Sequence, residues 1–262
     1  MNTTSSRPQL CVAAAQAISV ANDVARNVQT HLAFAREAAQ QGVQLLVFPE
    51  LSLTGYELPH LAAQVLDEDG AALAPLRQAA RNHAMMLIVG APAAAARAGD
   101  LPSIGAWVLR ADGTATLYRK RHLHGSETQF ASAGEDDALV LSLAGIPTGL
   151  AICADARHPE HADAAARAGA GLYASGALVS ENGYGPESAQ LQTYARVHAM
   201  AVLLANHGGP SGAYISAGRS AFWAPGGDEV AAAPGPGQCL VVATRKSNDG
   251  WSGRVVPLDL AA

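Results

Sequence analysis

Three side chains of this chain could together carry out acyl chemistry: the carboxyl of Glu50, the amine of Lys120 and the thiol of Cys153. Each stands directly after a strand-like run, residues 45–48 before Glu50, 114–119 before Lys120 and 150–152 before Cys153. Short apolar runs closed by turn residues read as buried strands. In α/β proteins, strand ends are where rigid backbone aims side chains into a cleft. A thiol at a strand-to-helix joint also has helix or turn N–H groups nearby, which suit an oxyanion. A carboxylate and an ammonium are costly to bury unless paired. At the edge of one core they stabilise each other, and the thiol gains a base and a cation. Taken singly, Cys153 reads first as a core thiol, and Glu50 and Lys120 read as solvated loop residues as readily as catalytic ones. Their coincidence at three strand ends favours the joint reading.

The elements that must position these groups follow from local pattern. After Cys153, Pro159 fits the first turn of a helix, where its missing N–H would be unpaired anyway, and Glu160 suits the positive end of the helix dipole. Gly169 suits a left-handed cap at the end of that helix. Earlier, residues 10–15 form a strand. Asn22 and Asp23 then cap a helix in which Val24, Val28, Leu32, Ala35 and Ala39 recur at helical spacing before Gly42. A helix-like stretch follows Tyr56, with a second helix over 71–83 and a strand over 86–89. Strands 104–109 and 114–119 flank Ala111-Asp-Gly113, a hairpin turn signal. A loop over 122–137 leads to strands 138–143 and 148–152. Beyond the cysteine helix come a strand at 172–175, a Gly-rich loop holding Tyr184, a helix over 187–200 and a strand at 202–205. Strands at 221–224, 229–233 and 239–244 close the pattern, with a turn at Gly226-Gly227. Strands and helices alternate while hairpins also occur, so mixed sheets covered by helices are expected, in one layered α/β domain over 1–262 with a short polar tail at 1–8.

Composition excludes several classes. The chain has 262 residues, 49% hydrophobic and 15% charged, enough for a sizeable core. Its 17 basic and 22 acidic residues give a net charge of −5, with no basic cluster beyond the short run Arg119-Lys-Arg121, so nucleic acid is not an expected partner. No apolar run approaches the roughly 20 residues of a membrane span, and the polar N-terminus lacks a signal-peptide core. A cytoplasmic protein is expected. Its three cysteines, an odd number, argue against a disulfide framework. Cys11 and Cys239 lie in strand-like apolar runs and read as core residues.

The chain resembles the nitrilase, or carbon–nitrogen hydrolase, superfamily over nearly its whole length. Phe48-Pro-Glu-Leu-Ser-Leu-Thr-Gly-Tyr56 resembles the glutamate motif of that family, with Glu50 as base. Tyr118-Arg-Lys-Arg-His-Leu123 resembles its lysine motif, with Lys120 as the catalytic lysine. Cys153-Ala-Asp-Ala-Arg-His-Pro-Glu160 resembles its C-x-D-x-R-x-P-E nucleophile motif. Glu127 falls where the family carries a second glutamate that supports the lysine. Gly218-Arg-Ser220 and Trp223-Ala-Pro-Gly226 resemble its closing segment. The resemblance implies a four-layer α-β-β-α sandwich of two mixed sheets flanked by helices. It also implies hydrolysis of a small amide or N-carbamoyl compound through a cysteine thioester. Glu50 would move the protons, while Lys120 and the Ala154 N–H would hold the oxyanion. Glu127 would orient Lys120, and Tyr56 and Ala154 would line the substrate site. No metal or other cofactor is implied, and a homodimer or larger homo-oligomer is.

Two departures from the family pattern stand out. Tyr194-Ala-Arg-Val-His-Ala-Met-Ala201 lacks the Glu-Asn common in its helix after the nucleophile, and Ala154 replaces a frequent aromatic. C-A-D is closer to the amidase and carbamoyl-hydrolase branches than to the C-W-E of nitrilases. Acyl transfer and nitrile hydrolysis would use the same three groups, and a non-catalytic binder could keep the scaffold. Rival readings are a papain-like pair of Cys153 with His198 or His207, and a metal at His122 and His124. The first lacks a papain-like context for the cysteine, and the second lacks a third ligand. Pocket walls are expected from residues 57–61, 122–130 and 180–187.

Overall fold

Strand β1 (Leu10–Gln16) sends Leu10, Val12 and Ala14 to one face and Cys11, Ala13 and Ala15 to the other, and both faces are buried. A strand covered on both sides belongs to the middle of a layered structure. The computed structural model describes residues 9–135, 138–246 and 250–260. The polar tail expected at 1–8 and the end of the loop at 136–137 lie outside the described residues.

One sheet runs in the order β13 (Trp251–Pro257), β12 (Cys239–Arg245), β1, β2 (Leu45–Val47), β3 (Met86–Ala93), β4 (Ser103–Leu109) and β5 (Ala115–Arg119). The other runs β11 (Glu229–Ala232), β10 (Ala221–Trp223), β9 (Ala201–Asn206), β8 (Leu172–Ala177), β7 (Ile146–Ile152) and β6 (Leu139–Leu143). Each sheet has three parallel strands at its centre, β1-β2-β3 and β7-β8-β9, with antiparallel strands outside them. Leu10, Val12, Val47 and Ile88 from the first sheet meet Leu150, Ile152, Leu203 and Phe222 from the second in a shared inner core.

Helices cover the outer faces. Phe34, Ala35 and Ala38 of α1 (Val24–Gln40) and Leu76 and Ala80 of α2 (Ala74–Asn82) pack on the first sheet. Ala162 and Ala165 of α3 (Pro159–Arg167) and Leu191 and Ala195 of α4 (Glu181–Val197) pack on the second. The architecture is the expected four-layer α-β-β-α sandwich. Asp23 caps α1 by accepting a hydrogen bond from the Arg26 N–H at 3.0 Å. Gly42 and Gly169 take the left-handed conformation just past their helices.

Three elements differ from the sequence expectation. The stretch after Tyr56 is a 3₁₀ helix over Leu58–Gln64. Helix α4 starts at Glu181 rather than at 187, despite Gly183, Gly185 and Pro186 in its first two turns. Tertiary contacts outweigh those weak formers: Glu181 pairs with Arg219 at 2.9 Å, and the Tyr184 hydroxyl donates to the Arg219 carbonyl at 2.8 Å. Strand β13 was not expected, because Ser252, Gly253 and Arg254 break the apolar alternation; its backbone pairing to β12 supplies what its side chains lack.

The turn after β2 is wedged between the sheets. A Cβ on Gly90 of β3 would collide with the backbone of Pro49 and Leu51, and one on Gly176 of β8 would collide with the Phe48 carbonyl. Leu51 closes the turn with φ of 51°, a left-handed value uncommon outside glycine. Glu50 is thereby fixed by close backbone approach from both sheets. Gly176→Ala should push this turn away and cost roughly 1–3 kcal/mol as an overpacked site does. The expected result is a lower melting temperature; a variant with the native value would show that the contact is not needed.

Candidate active site

The ammonium of Lys120, at the end of β5, is fully buried between two carboxylates. Its Nζ donates to Glu50 Oε1 at 2.6 Å and to Glu127 Oε1 at 2.7 Å, with no exposed side-chain surface on any of the three. Glu127 sits in a 3₁₀ turn (Gly125–Gln129). Its Oε1 also accepts from the Tyr56 hydroxyl, and its Oε2 accepts from the His124 N–H at 2.6 Å. Two of the three Lys120 donors are used in this way among the described residues. The Glu50 Oε2 atom is buried and has no hydrogen-bond partner among them.

The charges shape one another. Burial pushes Glu50 up to about 7; Lys120 opposes the rise and Glu127 adds to it. Burial acts to lower Lys120, yet Glu50, Cys153 and Glu127 together raise it above its ordinary value, so it stays an ammonium. Burial and the Glu50 charge hold the Cys153 thiol well above its usual range, against the pull of Lys120. At neutral pH the resting state is therefore a thiol beside a carboxylate with a pKa near the operating pH.

Cys153 follows β7 directly, with φ of 45°, and opens a 3₁₀ turn over Cys153–Arg157. Non-glycine residues held in the left-handed region cost about 1–3 kcal/mol and persist where the surroundings enforce them. Here the enforcing group is Asp155. Its Oδ2 accepts from the Ile152 N–H at 3.0 Å and the Tyr118 hydroxyl at 2.8 Å; its Oδ1 accepts from the N–H groups of Arg121 and His122 at 3.1 and 2.8 Å. One carboxylate thus ties the cysteine turn to the strand end that carries Lys120. Tyr118 also meets His161 Nε2 at 2.8 Å, and His161 Nδ1 meets the Tyr173 hydroxyl at 2.8 Å, continuing the knot into α3 and β8. The first N–H groups of a 3₁₀ turn have no partner within it, and Ala154 supplies one of them beside the thiol.

A cavity of about 60 Å³ lies over the sulfur, walled by Tyr56, Ala154, Leu178, Glu187 and Tyr214, and a wider depression of about 490 Å³ lies outside it. The Cys153 Sγ faces the Leu178 carbonyl at 3.9 Å. The six residues named from sequence, Glu50, Tyr56, Lys120, Glu127, Cys153 and Ala154, converge at this place. Of the expected pocket walls, 122–130 and 180–187 contribute His124, Ser180 and Glu187. The 57–61 stretch turns elsewhere, and Glu57 Oε1 accepts from the Gly212 N–H at 3.1 Å.

The rival pairings are resolved by position. His198 pairs with Asp163 at 3.1 Å, and His207 Nε2 is held by the Glu50 carbonyl oxygen at 2.7 Å. Burial lowers His207 to about 4, so the neutral ring donates to that carbonyl and braces the Glu50 turn. His122 and His124 diverge. His124 Nδ1 meets Arg157 at 3.1 Å, whereas His122 stacks on His158 with centroids 3.8 Å apart. Ligand atoms of His122, His158 and Glu160 lie within 4.8 Å of one another, but the two rings are nearly parallel, so their lone pairs do not converge on a common ion. The sequence marks His207 only as a rival partner for the thiol, not as the brace of the Glu50 turn, and it does not mark Gly90 or Gly176. It marks Asp155 only as part of a motif. A buried acid two residues after the cysteine was the one available signal.

Comparison with known proteins identifies the class. Residues 11–249 match the carbon–nitrogen hydrolase family. The chain belongs to that family, and it is a carbon–nitrogen hydrolase of the nitrilase superfamily, on its amidase-like branch. It is 31% identical over 230 residues to a hydrolase encoded in the pqqF 5′ region of Pseudomonas protegens, spanning 85% of this chain and 78% of that protein. It is 31% identical over 128 residues to a 2-oxoglutaramate amidase of Bacillus subtilis, spanning 47% and 48% of the two chains. Among solved structures, a variant of the amidase from Nesterenkonia sp. AN1 superposes with a TM-score of 0.82 at 28% identity, covering 90% of both chains. That enzyme carries the acetamide moiety of fluoroacetamide covalently at its active-site cysteine. No helix among the described residues is long and apolar enough to cross a membrane.

Asp155→Asn tests the knot. An amide nitrogen replacing one oxygen would face a backbone N–H or the Tyr118 hydroxyl and leave a buried donor unsatisfied, at roughly 1–3 kcal/mol. Denaturant titration should show that loss together with reduced turnover. Native stability with native turnover would remove Asp155 from its positioning role.

Proposed function

We propose that this enzyme hydrolyses a small amide or N-carbamoyl compound through a thioester on Cys153. The observation that carries the reading is the buried Lys120, bridged to Glu50 and Glu127 next to a thiol that faces a cavity. The covalent adduct on the cysteine of the Nesterenkonia amidase supports it. The small cavity over the sulfur, about 60 Å³, suits a compact group at the carbonyl.

The substrate carbonyl carbon sits over Cys153 Sγ with its oxygen toward Lys120 Nζ and the Ala154 N–H. Glu50 takes the thiol proton as the S–C bond forms, and its unpaired Oε2 is the available acceptor. The developing oxyanion is met by charge and dipole already in place, an arrangement in which one donor is typically worth about 3–4 kcal/mol. Collapse of the tetrahedral intermediate breaks the C–N bond, and Glu50 returns the proton to the departing nitrogen. Glu50 then takes a proton from water as it attacks the thioester, releasing the acid and restoring the thiol. Glu127 and Tyr56 hold Lys120 charged and aimed.

Screening small amides for ammonia release, with intact-mass detection of an acyl adduct, tests this directly. Cys153→Ala should abolish both turnover and adduct while nearly preserving the melting temperature, and retained hydrolysis would end the nucleophile assignment. Glu50→Gln keeps the shape but cannot accept a proton, so kcat should fall by about 10²–10⁴. Because the carboxylate is the active form, kcat/KM in the native enzyme should rise with pH through about 7, the elevated value of Glu50. A flat profile across that range would remove Glu50 as the base.

A further inference from the structure

The proposed chemistry leaves two charged groups of the cavity unused, Arg157 and Glu187. Glu187 stands in the second turn of α4, past the first turn where a helix N-terminus favours an acid. It lines the cavity over Cys153 and the wider depression outside. It also lines a small recess behind the sulfur, among Val179, Leu191 and Leu204. Among the described residues its carboxylate has no hydrogen bond and no ion pair. Arg157, whose charge it feels, has its guanidinium against His124 instead.

The side chain of Glu187 runs back along the helix over Gly183, where a Cβ would come within 3.2 Å of its Oε1. Glycine inside a helix costs about 1 kcal/mol relative to alanine, and here the bare Cα leaves room for the carboxylate. Half-burying an unpaired carboxylate is costly, and burial raises its pKa. Its charge also weighs on the neighbouring thiol, opposing ionisation of Cys153. The charges of Arg157 and Lys120 offset part of that cost, but no hydrogen bond among the described residues fixes the carboxylate. Costs of this kind concentrate where a ligand supplies the missing partner. The rings of Tyr56 and Tyr214, edge-to-face with centroids 5.5 Å apart, line the same cavity, and aromatic rings suit a cation.

We propose that Glu187 is a specificity-determining residue and that the preferred substrates are small amides or N-carbamoyl compounds bearing a protonated amine, which pairs with Glu187 while the carbonyl meets Cys153. This rests on the thioester reading above. The pairing neutralises the charge that opposes thiol ionisation, so a cationic substrate gains in kcat as well as in KM. A neutral amide leaves Glu187 unpaired and the thiol held back.

The test compares ω-amino amides of increasing length with neutral alkanamides of matching length, and carbamoylated diamines with carbamoylated monoamines. At the fitting length the native enzyme should favour the cation in kcat/KM by about tenfold, equivalent to about 1.4 kcal/mol. Glu187→Gln should bring that ratio toward one, Glu187→Asp should keep part of it, and Glu187→Lys should turn the preference toward ω-carboxy amides. A native ratio near one at every length, or a ratio unchanged in Glu187→Gln, overturns the proposal; the native ratio needs no variant to fold. Intact mass separates the two levels. An acyl adduct on Cys153 without charge preference removes only the Glu187 assignment. No adduct and no ammonia from any compound removes the thioester reading, and this proposal with it.

Discussion

Everything at the centre of this enzyme depends on keeping one ammonium inside the protein. Lys120 has no contact with solvent, and an ion so placed costs several kcal/mol unless it is closely paired. Two carboxylates meet that need where one would have sufficed for neutrality. Burial, with the second carboxylate adding to it, outweighs the pull of the cation, so Glu50 has its pKa raised rather than lowered although it is bonded to Lys120. The cluster therefore holds a fixed cation and a base near neutrality within the same set of hydrogen bonds. Burial and the Glu50 charge keep the Cys153 thiol beside it un-ionised at rest.

Such a cluster can exist only if the backbones that carry it are held together across the sandwich. Glu50 comes from the first sheet, Cys153 from the second, and Lys120 from the outermost strand of the first. Two bonds of different kinds close the distance. Bare Cα atoms at Gly90 and Gly176 admit the Glu50 turn between the sheets, and the Asp155 carboxylate fastens the cysteine turn to the lysine strand. Left-handed backbone at Leu51 and Cys153 is the local cost of both turns. Breaking a buried ion pair of this kind by losing one partner costs roughly 3–5 kcal/mol, so the positioning contacts and the chemistry are bound to one another.

The mouth of the site follows different rules. Inside, every charged head group but one oxygen is satisfied; outside, Glu187, Arg157 and His124 face open volume with few fixed partners. The closely bonded interior and the loosely held polar rim are thus two different environments within one site. The Nesterenkonia amidase has been solved in complex with butyramide, an uncharged amide. An uncharged amide offers no charge to neutralise a carboxylate such as that of Glu187.

Much of this protein is written in short-range pattern. The Asp23 cap and Gly42 stop of α1, the Asp112-Gly113 hairpin, and Pro159 and Gly169 at the two ends of α3 depend on residues within a turn of one another, and all are legible in the chain. The order of the glutamate, lysine and cysteine motifs likewise carried the family and, through it, the four layers. Two elements were not legible, because what stabilises them lies elsewhere: α4 begins early because Arg219 anchors Glu181 and Tyr184, and β13 forms because β12 offers its edge. The roles of Asp155, His207, Gly176 and Glu187 arise from contacts between segments far apart in the chain. Periodicity and capping act between neighbours, so sequence alone placed the reactive groups at strand ends. Only the packing of one sheet on the other decided which of them meet, what braces them, and which charge is left without a fixed partner.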